Sequence, residues 1–421
     1  MKRIFTRVFL FLITISISAS MTAQGWVDQV SVGAAYSQQA YYTFESADED
    51  GTVETVANEA WDIAFSTGAQ DAGVFINEAT TFMSSPLQVF LAPTNEWSDP
   101  INNTDEFVDE VALHNPDLVW TEGAFNSMKD PSSPFDFGWG AYNPMTNTVN
   151  GSIVFVIKLR DGSFMKFQVM ALEGSEYSIR YANLDGSNEV STAISKEDSE
   201  GALVYYSFNT EGTVDVPTSY DLVFQRYSTP LPAGPDVILE YYVTGVLLGP
   251  GVQAVRVEEV DPTMVMESDY SDQYSTDLIT IGHSWKAFDF AVGWLILEDR
   301  THFVKLANGD VYQVTFFDFQ GSSTGNSTFQ KTFITTVSTD EEFALDANIK
   351  VYPNPAADFI SIENASQKDM QIQFRTLTGQ LVKKVNAKNN DRISIDDLNT
   401  GMYNVVIEAE GQLKIQKLVV R

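Results

Sequence analysis

The chain has 421 residues, 44% hydrophobic and 12% aromatic, so it can bury a large core. It has no cysteine and only three histidines, which excludes disulfide stapling and thiol chemistry and argues against a His-rich zinc site. The formal charge is −32 and is unevenly spread. Residues 349–421 carry 10 Lys/Arg and 8 Asp/Glu, and residues 1–23 carry 3 basic residues and no acid. Subtracting these from the totals of 25 and 57 leaves 12 basic and 49 acidic residues in 24–348, a net of −37. Such a surface repels nucleic acid and anionic lipid and attracts cations. Its expected use is solubility in a salty exterior.

Met1–Ala23 begins with Lys2, Arg3 and Arg7, runs apolar from Val8 to Ile13, and closes on small residues at Thr22-Ala23. That order describes a secretory signal peptide, and the apolar run is too short for a spanning helix. The mature protein is expected to be soluble and exported, not an integral membrane protein.

Four landmarks then recur in the same order. Tyr41-Tyr42-Thr43-Phe44 matches Tyr205-Tyr206-Ser207-Phe208, and Gly51-Thr52-Val53 matches Gly212-Thr213-Val214. Trp61-Asp62-Ile63-Ala64-Phe65 matches Tyr220-Asp221-Leu222-Val223-Phe224, and Trp139-Gly140-Ala141-Tyr142 matches Trp285-Lys286-Ala287-Phe288. Paired hairpins follow, with Lys158-Leu159-Arg160-Asp161-Gly162 and Lys305-Leu306-Ala307-Asn308-Gly309 at their tips. Both tip positions, Asn308-Gly309 and Asp161-Gly162, are expected at positive φ in tight two-residue turns. The shared order reads as one unit made twice, 24–195 and 196–338.

Each unit is expected to be mainly antiparallel β, an all-β fold of short runs rich in β-branched and aromatic residues. The hairpin strands are apolar on both faces, with Ile153, Phe155 and Ile157 on one and Val154 and Val156 on the other. Such strands need cover on both sides, from a second sheet or from long loops. Leu91–Ser133 and Pro262–Thr276 are long loops of the right character, and only Asp105–Ala112 and Ile194–Glu200 read as short helical pieces. Trp61, Trp139, Trp285 and Trp294 lie in the repeated motifs, where core packing is expected. Trp97 and Trp120 lie in the long loop, where they either pack it down or stack on a flat ligand.

Residues 339–348 are a polar, acidic linker. After it come Tyr352-Pro353-Asn354-Pro355 with Asp358, then Leu377-Thr378-Gly379, then Leu398, Gly401 and Tyr403, and a basic final strand. These motifs resemble the type A C-terminal sorting domain of the type IX secretion system, over 349–421. The alternating strands and glycine turns independently suit a small immunoglobulin-like β-sandwich. The resemblance implies recognition by the type IX secretion translocon and removal of the tail by a sortase-like peptidase. The body would then be released or attached to the cell surface.

The body resembles the HmuY-like haemophore family through the WDIAF and YDLVF motifs, the Trp-centred strand and the following hairpin. Its likeness extends to uncharacterised type IX cargo carrying the unit twice. In the haemophores, paired His or Met side chains ligate haem iron, so His283, Met264 and Met266 are the haem-ligand candidates here, although no such pair matches residue by residue.

No GxSxG, HExxH or phosphate-loop pattern is present, and Asp48-Glu49-Asp50-Gly51 lacks the spacing of a calcium loop. No catalytic residue, metal ligand or cofactor is therefore assigned. The expectation is a secreted or surface-attached, non-enzymatic protein that binds a small ligand, a surface glycan or another surface component. A haem-binding protein and a hydrolase using a carboxylate pair are the alternatives.

Overall fold

The computed structural model describes residues 26–45, 49–258, 261, 265–334, 350–363, 370–376, 381–409 and 412–421. The leader, the linker, Asp48, Met264 and Gly379 lie outside the described residues. The chain is all-β, and it divides into a body, 25–337, and a tail formed by its last residues.

Twenty-two strands build the described body. The first eleven are Trp26–Ser31 (β1), Gln38–Thr43 (β2), Thr52–Ala57 (β3), Ile63–Ser66 (β4), Val74–Ile76 (β5), Gln88–Leu91 (β6), Gly140–Asn143 (β7), Thr148–Gly151 (β8), Phe155–Lys158 (β9), Phe164–Glu173 (β10) and Glu176–Asn183 (β11). The second eleven are Val190–Ser195 (β12), Leu203–Ser207 (β13), Gly212–Val214 (β14), Leu222–Gly234 (β15), Val237–Leu248 (β16), Gln253–Glu258 (β17), Lys286–Asp289 (β18), Gly293–Ile296 (β19), Arg300–Lys305 (β20), Val311–Phe319 (β21) and Asn326–Ile334 (β22).

The two sets pair in the same pattern. One sheet runs β1-β22-β21-β20-β17, and its counterpart contains β12-β11-β10-β9-β6. A four-stranded sheet runs β16-β15-β2-β3, and its counterpart runs β5-β4-β13-β14. Register is kept: Leu222 faces Tyr42 as Ile63 faces Tyr206, and a bulge follows Phe316 as one follows Val169. The sets differ at one hairpin. β8 joins β10 in the sheet, whereas β18 and β19 form a separate two-stranded ribbon.

The grouping in space differs from the sequence boundary at 195/196. β1 closes onto β22 and β2 onto β15, so the first three strands complete the lobe made by 222–334. The other lobe is the contiguous stretch 63–214. The physical reason is that β11 and β12 are hairpin neighbours, so β12 stays beside β11 and leaves its own half.

Each lobe is a two-layer sandwich. In the contiguous lobe Ile63, Phe65, Val204 and Tyr206 meet Phe155, Phe167 and Ile179. In the other, Ala40, Tyr42, Leu222 and Phe224 meet Val304, Val314 and Phe329. The intervening positions, Ala64, Tyr205, Tyr41 and Val223, point the other way and form a third core where the lobes pack back to back. The long loops cover the remaining faces. Ile101 and Phe107 lie over Val156, and Tyr270 and Tyr274 over Phe303. The helical pieces are single 3-10 turns, Asp109–Val111 and Lys196–Asp198.

The tail has seven described strands: Lys350–Tyr352 (β23), Phe359–Glu363 (β24), Met370–Thr376 (β25), Leu381–Ala387 (β26), Arg392–Ser394 (β27), Gly401–Ala409 (β28) and Gln412–Val420 (β29). Sheets β23-β24-β27 and β26-β25-β28-β29 share one core of Ile360, Ile362, Phe374, Val405 and Ile407.

The hairpin tips correct one expectation. Only the glycines are left-handed, with φ of 92° at Gly309 and 85° at Gly162; Asn308 and Asp161 keep negative φ. Gly309 N–H donates to Leu306 O at 2.9 Å and Leu306 N–H to Asp310 O at 2.8 Å, a type I turn closed by a left-handed residue. A Cβ on Gly309 would meet nothing within 4 Å, so a substitution there is opposed by backbone conformation alone. Gly309→Val should therefore lower stability by about 1–3 kcal/mol, measured by denaturant titration, with the sheet pattern unchanged.

Candidate functional site

Where the lobes meet back to back, the third core encloses a cavity of about 60 Å3. Its walls come from corresponding positions of both strand sets: Tyr41 and Tyr205, Trp61 and Tyr220, Phe75 and Leu247. Tyr41 and Tyr220 meet edge to face at 4.8 Å, as do Trp61 and Tyr205 at 4.9 Å. Burial pushes the hydroxyl pKa values of Tyr41, Tyr205 and Tyr220 above the ordinary phenol range, so all three stay neutral donors.

One end of the cavity is polar. Asn77 donates to the carbonyls of Asn58 and Trp61, at 2.8 and 2.7 Å, and Tyr41 donates to Gln39 at 3.0 Å. Glu78 accepts from Asn115 N–H at 3.2 Å and sits 3.1 Å from His114 Nδ1. Burial raises the Glu78 carboxyl pKa, while the His114 contact pulls against that shift. Burial lowers His114, but the hydrogen bond and charge of Glu78, with Glu240 and Asp109, outweigh it and leave His114 above its ordinary value. Asp117 accepts from Thr229 at 2.7 Å. Trp61 is 7% exposed, yet its Nε1 has no hydrogen-bond partner among the described residues. A buried donor left unpaired costs about 1–3 kcal/mol, which a bound acceptor would recover.

Of the two loop tryptophans, Trp120 lines this cavity, donating from Nε1 to Leu248 O at 2.8 Å and lying 6.4 Å from Phe75. Trp97 is held down elsewhere, between Lys166 and Arg180, with Nε1 on Glu189 at 2.9 Å. Glu78, His114 and Asp117 were not singled out from sequence. His114 and Asp117 come from one loop and Glu78 from another, and no spacing rule joins the two.

Neither described haem-ligand candidate lines the cavity, although His283 lies behind its wall residue Tyr227. His283 turns its Nδ1 toward Tyr227 Oη at 3.5 Å, and burial with Lys286 and Arg256 nearby lowers its pKa to about 4. Met266 is 52% exposed and caps the turn Glu267–Asp269, and Met264 lies outside the described residues. The described residues hold no cluster of three or more His, Cys, Asp or Glu side chains arranged for a metal ion. No helix among them is long and apolar enough to cross a membrane.

In the tail, the motif residues tie the sandwich together. Asn354 Oδ1 accepts from Val419 N at 2.9 Å, and Ala356 N–H donates to Val419 O at 2.8 Å, so the Tyr352–Pro355 segment grips the last strand. Tyr352 Oη donates to Asn390 at 3.0 Å, and Ile395 N–H to Asp358 O at 2.9 Å. Leu398 packs on the core, and Tyr403 Oη, two residues after Gly401, closes the turn on Asn399 O at 2.8 Å.

Residues 350–421 match the family model described as the secretion system C-terminal sorting domain. The tail is a type IX export signal. It marks the protein for the cell surface or the medium and implies contact with the secretion machinery. Residues 35–182 match the HmuY protein family model. No curated protein matches the chain at a significant level. A solved structure, dimeric latent PorU from Porphyromonas gingivalis, aligns at 13% identity over 65% of this chain and 31% of that one, with a TM-score of 0.14. At that score the likeness carries no argument, and the chain spans less than a third of that protein's length.

Away from the cavity wall, His302 on β20 gives the lobe made by 222–334 a pH dependence. It is fully buried, neither ring nitrogen has a hydrogen-bond partner of good geometry, and only the Val314 backbone pulls weakly in the opposite direction. Burial, with Arg256 and Arg300 nearby, drops its pKa from 6.5 to about 3. A depressed histidine is stable neutral, so its contribution is present above pH 6.5 and is lost as pH falls toward 3. The thermal midpoint should fall through that window, and His302→Leu should flatten the decline.

The tail gives an export test. Deleting Val351–Arg421 should leave the body in the periplasm, which cell fractionation with immunoblotting reads directly.

Proposed function

We propose that the exported body is a non-enzymatic binding protein whose ligand site is the cavity between its lobes. The carrying observation is the buried Trp61 N–H, unpaired in an aromatic cavity that has a polar end at Gln39, Asn77 and Glu78. Apolar walls with a few convergent polar groups are what small-molecule sites share. At about 60 Å3 there is room for a few waters or a comparably small group. The ligand therefore inserts a small head with a hydrogen-bond acceptor, and any larger part stays outside. The matching pairings of the two strand sets support descent from a duplicated unit, with the cavity at the seam.

A haem-binding reading has one observation in its favour, the HmuY match over 35–182. Neither His283 nor Met266 lines the cavity, so haem held by either would occupy a separate site. A Soret-band titration of wild type and His283→Ala distinguishes that reading.

The cavity reading is tested by thermal-shift screening of small polar solutes and surface glycans, followed by titration against tryptophan fluorescence. Trp61→Phe keeps an aromatic ring, smaller than the indole, and removes the N–H, so it should weaken binding by at least about tenfold, equivalent to about 1.4 kcal/mol. Binding that is unchanged in Trp61→Phe, or no bound compound at all, would count against the cavity.

A further inference from the structure

In the lobe that joins the first strands to the last, a lysine and an aspartate are buried in contact. Asp28 lies on β1 and Lys331 on β22, two positions apart on adjacent strands and so on one face. Lys331 is 0% exposed and Asp28 5%. Lys331 Nζ lies 3.1 Å from Asp28 Oδ2 and donates to Tyr42 Oη at 3.3 Å. Tyr42 Oη in turn donates to the same Asp28 Oδ2, in a short contact. Gly51 N–H donates to Oδ2 at 3.1 Å, and Oδ1 is buried with no partner among the described residues. Phe44 and Phe329 pack on Tyr42, at 4.9 and 5.4 Å between rings, and close the site to water.

As an ion pair this arrangement is expensive. Both charges are stripped of water, and one carboxylate oxygen has nothing to bind. The corresponding place in the other lobe is neutral. Tyr181 and Tyr206 stand where Lys331 and Tyr42 stand, and their hydroxyls bond at 3.1 Å.

We propose that Lys331 and Asp28 condense into an intramolecular isopeptide bond, with Tyr42 as the proton carrier. In the first step one ammonium proton passes through Tyr42 Oη to Oδ2 and leaves an amine beside a carboxylic acid. Nζ then forms a bond to Cγ, and the Cγ–Oδ2 bond breaks. Oδ2 departs as water, having taken a second proton from the nitrogen along the same path. Oδ1 remains as the amide oxygen, for which lacking a partner costs less than for a carboxylate. The step releases one water, needs no oxidant or co-reactant, and is helped by reactants already held in contact. It would lock the first strand of the body to the last in a chain without cysteine.

Mass spectrometry of the purified full chain under denaturing conditions tests this directly. The expected result is a mass lower than that of the sequence, for the termini found, by one water. Proteolysis should yield one branched peptide joining the Asp28 segment to the Lys331 segment. Lys331→Met should restore the unlinked mass. Tyr42→Phe should leave most of the chain unlinked, and full linkage in that variant would overturn the role given to Tyr42. A wild-type chain at its full sequence mass, or one that has lost water without a branched peptide, overturns the proposal.

Discussion

The architecture depends on strands that are apolar on both faces. β2, β4, β13 and β15 each send one set of side chains into a sandwich core and the alternate set outward. A strand of that kind cannot end a structure, because its outward face would be exposed to water. Two lobes packed back to back solve this with no further layer. The same demand at β9 and β20 is met by the long loops, which explains why they are rich in turn residues yet carry buried Ile101 and Phe107 and half-buried Tyr270 against those faces.

Each lobe is fastened internally, between strands of the two sets, by the same polar device. Asp62 Oδ2 accepts from Phe208 N at 2.7 Å, and Asp62 N–H donates to Tyr206 O at 2.9 Å. Asp221 does the same with Phe44 N at 2.8 Å and Tyr42 O at 2.9 Å. Each aspartate of a WDIAF-type motif thus staples the YYxF motif of the other strand set. Burial raises both carboxyl pKa values, and the accepted backbone N–H groups offset part of that shift. The motifs therefore recur in sequence for a structural reason: each is the other's hydrogen-bond partner.

Much of this was legible from residues alone. The paired hairpins, the two-faced strands and the sorting tail all follow from local patterns. The closure of β1 on β22 does not, because nothing in Trp26–Ser31 names its partner some three hundred residues away. The hairpin tips were misread at Asn308 because a dipeptide does not distinguish a two-residue turn from a type I turn closed by glycine. His302 gave no signal of full burial, since a histidine in an apolar strand looks the same whether or not it is hydrogen-bonded. Trp120 was visible as a ligand candidate, but Glu78 and His114 become neighbours only when loops from separate parts of the contiguous lobe converge.

The candidate site arises where a near-symmetric scaffold stops being symmetric. Across the seam, Gln39 stands opposite in role to Leu203, Trp61 to Tyr220, and Phe75 to Leu247. Each exchange keeps the apolar bulk that packing needs. The first also places a polar group on one side only, Gln39, and the second sets the indole N–H of Trp61 against the hydroxyl of Tyr220. With Asn77 and Glu78 at the same end, the cavity is polarised along its length, and a ligand with two equivalent ends would leave one of them unsatisfied. An asymmetric solute with one accepting head and one apolar side fits the chemistry of the walls better. The stapling aspartates lie away from the cavity wall, so they hold the scaffold together and leave the wall residues free to differ.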